Sequence, residues 1–237
     1  MSKVLIIVNA KVKEAGRVTA ISPVTEKMVS AIKQAIAADS PSIAVEVLAT
    51  ASLWSDTAKF KTRNQDYIYC PLTIQLPDWL EFPAKEIYQR CQNVERTRQW
   101  VERHLGYKTS MGDSCLGDLW LPVVLTAQKT FYAEVIGEGA IPNSYQQPIE
   151  IGDTVRQSLY HLADRLLQSL SAPASVYLVQ FRLLGQEIVF DRLWPFPAAP
   201  ALASLRSQQP DLFSYHWKCL SSKPIRGLRT IPAFPTY

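Results

Sequence analysis

A chain of 237 residues that is 47% hydrophobic and 19% charged holds enough apolar side chain for a packed core and too few charges for a disordered one. Nine glycines and sixteen prolines exclude a collagenous or glycine-rich fibre, and no apolar run approaches the roughly 18 residues that a membrane span requires. The formal charge of +4 resides in residues 204–237, so the neutral body has few cations to exchange for counterions, which argues against nucleic acid as a partner.

Lys3 to Asn9 reads as a buried strand, because Val4 to Val8 form one continuous apolar run. That run is too short for a signal peptide, so a cytoplasmic protein is expected. Ser22-Pro23-Val24-Thr25-Glu26 opens a helix, with Ser22 as N-cap and Pro23 at the first helical position. Val29, Ile32 and Ile36 are its apolar stripe. Asp39-Ser40-Pro41 ends it, and Ile43 to Leu48 supplies the next strand. This β-α-β order implies parallel pairing with a right-handed crossover. The turn after the first strand contains Gly16 but no GxGxxG or P-loop pattern, so neither type of phosphate site is expected.

A short strand is expected between Tyr67 and Leu76, broken at Pro71. Ala84 to Leu105 reads as one helix closed by Gly106. Ile87, Cys91, Val94 and Val101 take its buried side, while Arg90, Arg96, Arg98 and Arg103 share a solvated surface with Glu86, Glu95 and Glu102. Tyr107 to Leu119 reads as a loop. Leu121 to Thr126 and Thr130 to Ile136 are expected strands, and Pro142 and Pro148 confine any strand in 140–151 to an edge. Asp153 is expected to cap a long helix with Val155, Leu159, Leu162, Leu166, Leu167 and Leu170 buried. Ser175 to Leu183 and Glu187 to Leu193 form a hairpin around Leu184-Gly185-Gln186. The alternation of Phe213, Tyr215 and Trp217 predicts an extended segment over 212–220, packed on the body.

The expected fold class is therefore α/β. A parallel β-α-β region spans 1–80, an α+β region with an antiparallel sheet packed on a long helix spans 84–203, and a basic tail rich in proline and aromatics spans 204–237. Cys70, Cys91, Cys115 and Cys219 are scattered, as are His104, His161 and His216, so no metal site is expected from them.

From Leu121 onward the order β-β-(β)-α-β-β resembles the carboxyl-terminal lobe of the ATP-grasp superfamily. Asp153–Leu170 resembles its helix, Val176-Tyr177-Leu178-Val179-Gln180-Phe181 the next strand, and Ile188-Val189-Phe190-Asp191-Arg192-Leu193-Trp194-Pro195 the last strand with its proline turn. The resemblance implies a Rossmann-like first region and lobes that clamp ATP to join a carboxylate to an amine or similar nucleophile. It puts Asp191 at the position of one magnesium carboxylate, Leu193 where an asparagine ligand would stand, and Gln180 where an acid is common. The strand that would carry an ATP-contacting lysine has none, and Lys129 follows three residues after it. Gly112 to Gly117 is the one candidate flap, with Asp113 inside it and Asp118 next to it, acids that would repel triphosphate.

The main reading is a reduced, noncatalytic ATP-grasp-like protein that binds a ligand or protein partner and needs no cofactor. The alternative is an ATP- and magnesium-dependent carboxylate–amine ligase that draws metal ligands from Glu134, Glu138, Glu150 or Glu187. A structural α+β interaction domain outside that superfamily is the third. The polar site is expected at Gln180, Asp191, Arg192 and Lys129, with Trp194 and Phe196 either closing the core or forming an aromatic lip. In the tail, Lys223, Arg226 and Arg229 are expected at the surface, available to an acidic protein partner.

Overall fold

The computed structural model describes residues 3–12, 18–20, 22–55, 67–112, 116–225 and 227. Strand β1 (Lys3–Val8) is followed by a small antiparallel pair, β2 (Lys11–Val12) and β3 (Val18–Ala20), and then by α1 (Pro23–Asp39) and β4 (Ala44–Ala49). Ser22 caps α1 by accepting from the Thr25 N–H, and Met28, Val29, Ile32 and Ile36 form its buried stripe. Helix α2 (Thr50–Ser55) follows β4, and β5 (Tyr67–Pro71) ends at its proline. The strands assemble in the order β4-β1-β5 with both pairings parallel, which buries β1 from Val4 to Val8 between two neighbours.

Where one helix is expected over 84–105 there are two, α3 (Lys85–Gln92) and α4 (Val94–Leu105). The break falls at Asn93, whose side chain accepts from the Arg96 N–H and so starts a new helix. Gly106, at φ 72°, ends α4 in the left-handed conformation that glycine adopts without strain.

The second sheet contains β6 (Lys108–Thr109), β7 (Leu119–Leu125), β8 (Thr130–Tyr132), β9 (Val135–Glu138), β10 (Tyr145–Ile149), β11 (Ser175–Leu184) and β12 (Glu187–Trp194). Its order is β10-β9-β7-β11-β12-β6, with β8 also paired to β7. Every pairing is antiparallel except that of β6, which lies in the stretch expected as loop and runs parallel to β12. The single strand expected over 130–136 is divided between β8 and β9. Strand β10, which carries Pro148, takes an edge, where a missing N–H costs least. Between β11 and β12 the chain turns through Gly185 at φ 64°.

Helix α5 (Asp153–Ser169) buries Val155, Leu159, Leu162, Ala163, Leu166 and Leu167. Gly152, not Asp153, holds its N-cap position; Asp153 is the first helical residue, where a carboxylate still suits the helix dipole. A 3-10 turn (Ala199–Ala203) and α6 (Ser204–Ser207) lead to α7 (Leu212–Leu220). This last helix replaces the expected extended segment over 212–220. Asp211 caps it through the N–H groups of Phe213 and Ser214, and Leu212, Phe213, Tyr215, His216, Trp217 and Cys219 are all buried. A helix buried on most sides has no polar face, so its alternation carries no information about strand structure. It rests on α1, β7 and β11 and thus closes the seam between the two sheets. Among the described residues no helix is long and apolar enough to cross a membrane.

Candidate functional site

In the parallel sheet the chain passes from β1 to β4 on one side and then to β5 on the other. In such sheets ligands bind beyond the carboxyl ends of the strands at the point where the order reverses. Here that point holds Asn9 after β1 and Leu72–Gln75 after β5. The Leu72 N–H donates to the Ile7 carbonyl at 2.8 Å, and Asn9 Nδ2 donates to Gln75 Oε1 at 3.0 Å, which ties the two strand ends together. A cavity of about 490 Å³ opens there between the two sheets, bounded on this side also by Thr25 and Met28 of α1.

The facing wall is one row of the second sheet. Gln180 on β11 stands opposite Trp120 of β7 and opposite Arg192 of β12, and directly paired residues share a face. Trp194 lies beyond them and donates its Nε1–H to Gln180 Oε1 at 2.8 Å. Gln180 Nε2 donates to the Gly117 carbonyl at 2.6 Å, so both ends of this amide are committed. A carboxylate in its place could accept from Trp194 but could not donate to Gly117.

Immediately after Gln180 the register slips, and β12 passes from Phe190 to Arg192 across one β11 step. Asp191 is the extra residue of this bulge, and its side chain is fully buried. Its Oδ1 accepts from Arg98 Nη2 at 2.5 Å and from Arg192 Nε at 3.3 Å; its Oδ2 accepts from the Gly117 N–H at 2.8 Å. Arg98 also donates from Nε to the Asp191 carbonyl and from Nη1 to Glu95 and the Gly112 carbonyl. Gly117 lies so close that a Cβ there would meet the Phe181 carbonyl oxygen at 2.5 Å. The glycine expected as part of a flap instead packs its backbone on β11; residues 113–115, Asp113 among them, lie outside the described residues.

Of the four expected ligand-binding residues, Gln180, Asp191 and Arg192 therefore come together and Lys129 does not. Gln180 and Arg192 line the cavity, whereas Asp191 is turned into the ion pair with Arg98. Lys129 is exposed in the turn after β7, beyond Leu125, and Leu125 itself is about 16 Å along the strand from Trp120 at the usual rise per residue. Both aromatics border the cavity: Trp194 is partly exposed, while Phe196 is buried and stacks on Tyr88, whose hydroxyl donates to the Pro71 carbonyl.

Arg98 is the residue that sequence reasoning misses. It is 2% exposed, although its charge places it with the solvated arginines of the helix. The available signal is its spacing: Val94, Arg98 and Val101 recur at four and three residues, on one stripe of the helix.

In the tail, Lys223 does not stand free for an acidic partner. Its Nζ pairs with Asp39 Oδ2 at 2.5 Å and also donates to Ser40 Oγ at 3.0 Å. Trp217 Nε1 donates to the same Asp39 oxygen at 2.8 Å. Burial alone would raise the Asp39 carboxyl, but these hydrogen bonds outweigh it and hold its pKa below the ordinary value. Arg226 and Arg229 lie outside the described residues.

Among the described residues no three His, Cys, Asp or Glu side chains gather as metal ligands. Burial pushes the thiols of Cys70, Cys91 and Cys219 up to about 12, far from reactive thiolates. His216, beside Ser175 at 3.2 Å, is pushed down to about 3 by burial.

No family model matches the chain. The formate-dependent phosphoribosylglycinamide formyltransferase of Synechococcus sp. (strain CC9902) is 31% identical over 108 residues, 44% of this chain and 27% of that protein. The corresponding enzyme of Prochlorococcus marinus (strain MIT 9515) is 25% identical over the same shares. The matched segment thus spans about a quarter of these relatives. Among solved structures, glycinamide-RNase-transformylase T from Mycobacterium tuberculosis superposes with a TM-score of 0.69 at 14% identity, covering 97% of this chain and 82% of that one. An N5-carboxyaminoimidazole ribonucleotide synthetase from Thermus thermophilus superposes at 0.71 with 9% identity, covering 96% and 80%. At such identities the likeness concerns the fold, and the fold is that of ATP-grasp proteins: a parallel β-α-β region followed by an α+β region with a largely antiparallel sheet.

Proposed function

We propose that this ATP-grasp-type chain binds a phosphorylated ribosyl ligand, of the nucleotide or ribonucleotide class, in the cleft between its two sheets. The observation that carries this reading is the row Trp120–Gln180–Arg192 facing the carboxyl ends of β1 and β5. Arg192 supplies the planar cation suited to phosphate, the indoles of Trp120 and Trp194 supply apolar walls, and Asn9 and Gln75 supply neutral hydrogen-bonding groups. The similar proteins are named for phosphoribosyl and ribonucleotide substrates, which agrees with that chemistry. Thermal unfolding with ADP, ATP and ribose 5-phosphate tests it. At least one should raise the melting temperature with a concentration dependence that saturates, and no shift with any of them would overturn it.

Catalysis as an ATP-dependent ligase is the second reading, favoured over a noncatalytic chain by relatives that are named as enzymes. Its magnesium would need carboxylate oxygens beside the phosphates. The alternative donors lie elsewhere: Glu134 pairs with Arg156, Glu187 pairs with Lys108, and neither these nor Glu138 and Glu150 line the cavity. ADP release from ATP, with magnesium and formate supplied, separates the two readings. Turnover would carry the ligase reading, and saturable binding without turnover the noncatalytic one.

A further inference from the structure

A second groove, of about 890 Å³, runs outside the cleft between α1, β10 and α6. On α1 its wall is Lys27, Ser30, Ala31 and Gln34, whose spacings of three and four give one helix face. On β10 it meets Tyr145, Gln146, Gln147 and Pro148 in succession. Side chains of a strand alternate between faces, so a groove that touches four consecutive residues follows the edge of the strand and not a face. That edge is open, because β10 ends the sheet and pairs with β9 alone. The Gly139 N–H donates to the Ser144 carbonyl at 2.7 Å, which sets the hydrogen-bonded pairs at Ser144–Gly139 and Gln146–Gly137. Tyr145 lies between them, opposite Glu138 in a pair of the other kind, so its own N–H and C=O point toward the open edge. Main-chain groups so placed are what an added strand pairs with.

The walls indicate what kind of strand. Ser207 Oγ donates to Gln147 Oε1 at 2.6 Å and holds α6 beside β10, and Leu205 on that helix stands 44% exposed over the groove. Two cations line the groove, Lys27 on α1 and Arg206 on α6, and no acid does. Both are exposed, and neither meets a carboxylate among the described residues. The acids nearest in the chain lie outside it. Glu26 falls on a neighbouring row of α1, seven residues from Lys33 and so matched by it; Glu138 belongs to β9, behind β10; Glu150 follows the end of β10. Asp211 is engaged in capping α7.

We infer that the open edge of β10 docks an extended acidic segment of a partner protein, which pairs its main chain with Tyr145 and sets carboxylates against Lys27 and Arg206. A fluorescein-labelled decapeptide of alternating Glu and Val is titrated into the native chain by anisotropy, beside the same peptide with Lys in place of Glu. The acidic peptide should bind saturably and at least roughly tenfold more tightly than the basic one, with an affinity that falls as salt rises. Lys27→Glu and Arg206→Glu change exposed side chains, so the fold should persist, and each should weaken binding at least roughly fivefold. Hydrogen exchange reports the main-chain pairing: the bound peptide should slow the Tyr145 N–H at least roughly tenfold. Equal binding of the two peptides, or no saturable binding of the acidic one up to millimolar concentration, would overturn the inference. So would undiminished binding by both variants, or an unprotected Tyr145 N–H in the complex. A native dimer that Arg206→Glu dissociates would assign the edge to a second copy of the chain, and the acidic partner would be wrong.

Discussion

On the parallel-sheet side of the cleft, the groups facing the cavity come from loops just past the strand ends and from α1; on the other side Trp120, Gln180, Arg192 and Trp194 stand on the strands themselves. Asn9 and Gln75 hold each other through one amide hydrogen bond, and both are exposed. Gln180 and Arg192 are held by strand register and by a buried network that includes Arg98, Asp191, Gly117 and Trp194. The loop side can adjust to a ligand, whereas the sheet side fixes where its charge lies. The bulge makes that division possible, because it sends one of two adjacent residues to hold the fold and leaves the next to face the cavity.

If the sheet wall is the rigid one, breaking its buried ion pair should have the largest effect. Asp191→Ala removes the buried carboxylate and leaves the Arg98 guanidinium in the interior with only the mostly exposed Glu95 as counter-ion. The expected loss is about 3–5 kcal/mol in denaturant unfolding. An equivalent truncation in the loop wall, Asn9→Ala, should cost below about 1 kcal/mol. Equal costs for the two would erase the distinction. Gly117→Ala comes next, because its Cβ would strike the Phe181 backbone, which cannot swing away as a flexible side chain could. About 2–4 kcal/mol is expected. A loss under about 0.5 kcal/mol would mean that the 116–118 segment moves freely over β11, and the sheet wall would not be rigid.

The seam between the regions should respond to pH through His216. Its folded pKa of about 3 lies below the unfolded value of 6.5, so the unfolded chain takes the proton first as pH falls. Stability from this residue is complete above about pH 6.5 and is lost as pH falls toward 3, at up to roughly 1.4 kcal/mol per unit. Between about pH 7 and pH 5 that amounts to about 2 kcal/mol. His216→Leu removes the titrating group and should flatten the decline in urea midpoints over that interval. An unchanged slope would assign the acid sensitivity to other groups.

Legibility in the sequence differs between these regions for physical reasons. The β1-α1-β4 unit announces itself through a continuous apolar run, a Ser22 cap and a Pro23 start, all of them local signals. The β11-β12 hairpin does so through Gly185. The cleft is not local. Asn9 and Gln75 become neighbours only through the order β4-β1-β5, and no spacing within either segment reports that order. At β12 the sequence groups Asp191 with Arg192, but the bulge that divides their roles depends on pairing with β11. Asn93 interrupts a helix whose apolar period runs on across it, so periodicity conceals the break. Arg98 and α7 share a different cause. Burial of a charge, or of a helix on most sides, contradicts the usual polarity rule and is offset by partners distant in the chain.

The smallest effect is expected at the outer end of the seam, where Lys223 meets Asp39. The two side chains are 37% and 26% exposed, so solvent screens most of their attraction despite the short contact. Lys223→Ala should therefore cost only about 0.5–1 kcal/mol at neutral pH. The Asp39 pKa is depressed in the folded chain, so the pair stabilises above the unfolded carboxyl value of about 3.9 and loses that contribution as pH falls through the folded one. The native and Lys223→Ala chains should accordingly converge in stability in strong acid, and Asp39 in the variant should titrate closer to an ordinary carboxyl by NMR. Trp217 still donates to Asp39 there, so the return should be partial. A cost of about 3 kcal/mol or more would put this solvent-facing pair on the same footing as the buried Arg98–Asp191 pair. The contrast between a rigid sheet wall and a lightly fastened seam would then fail.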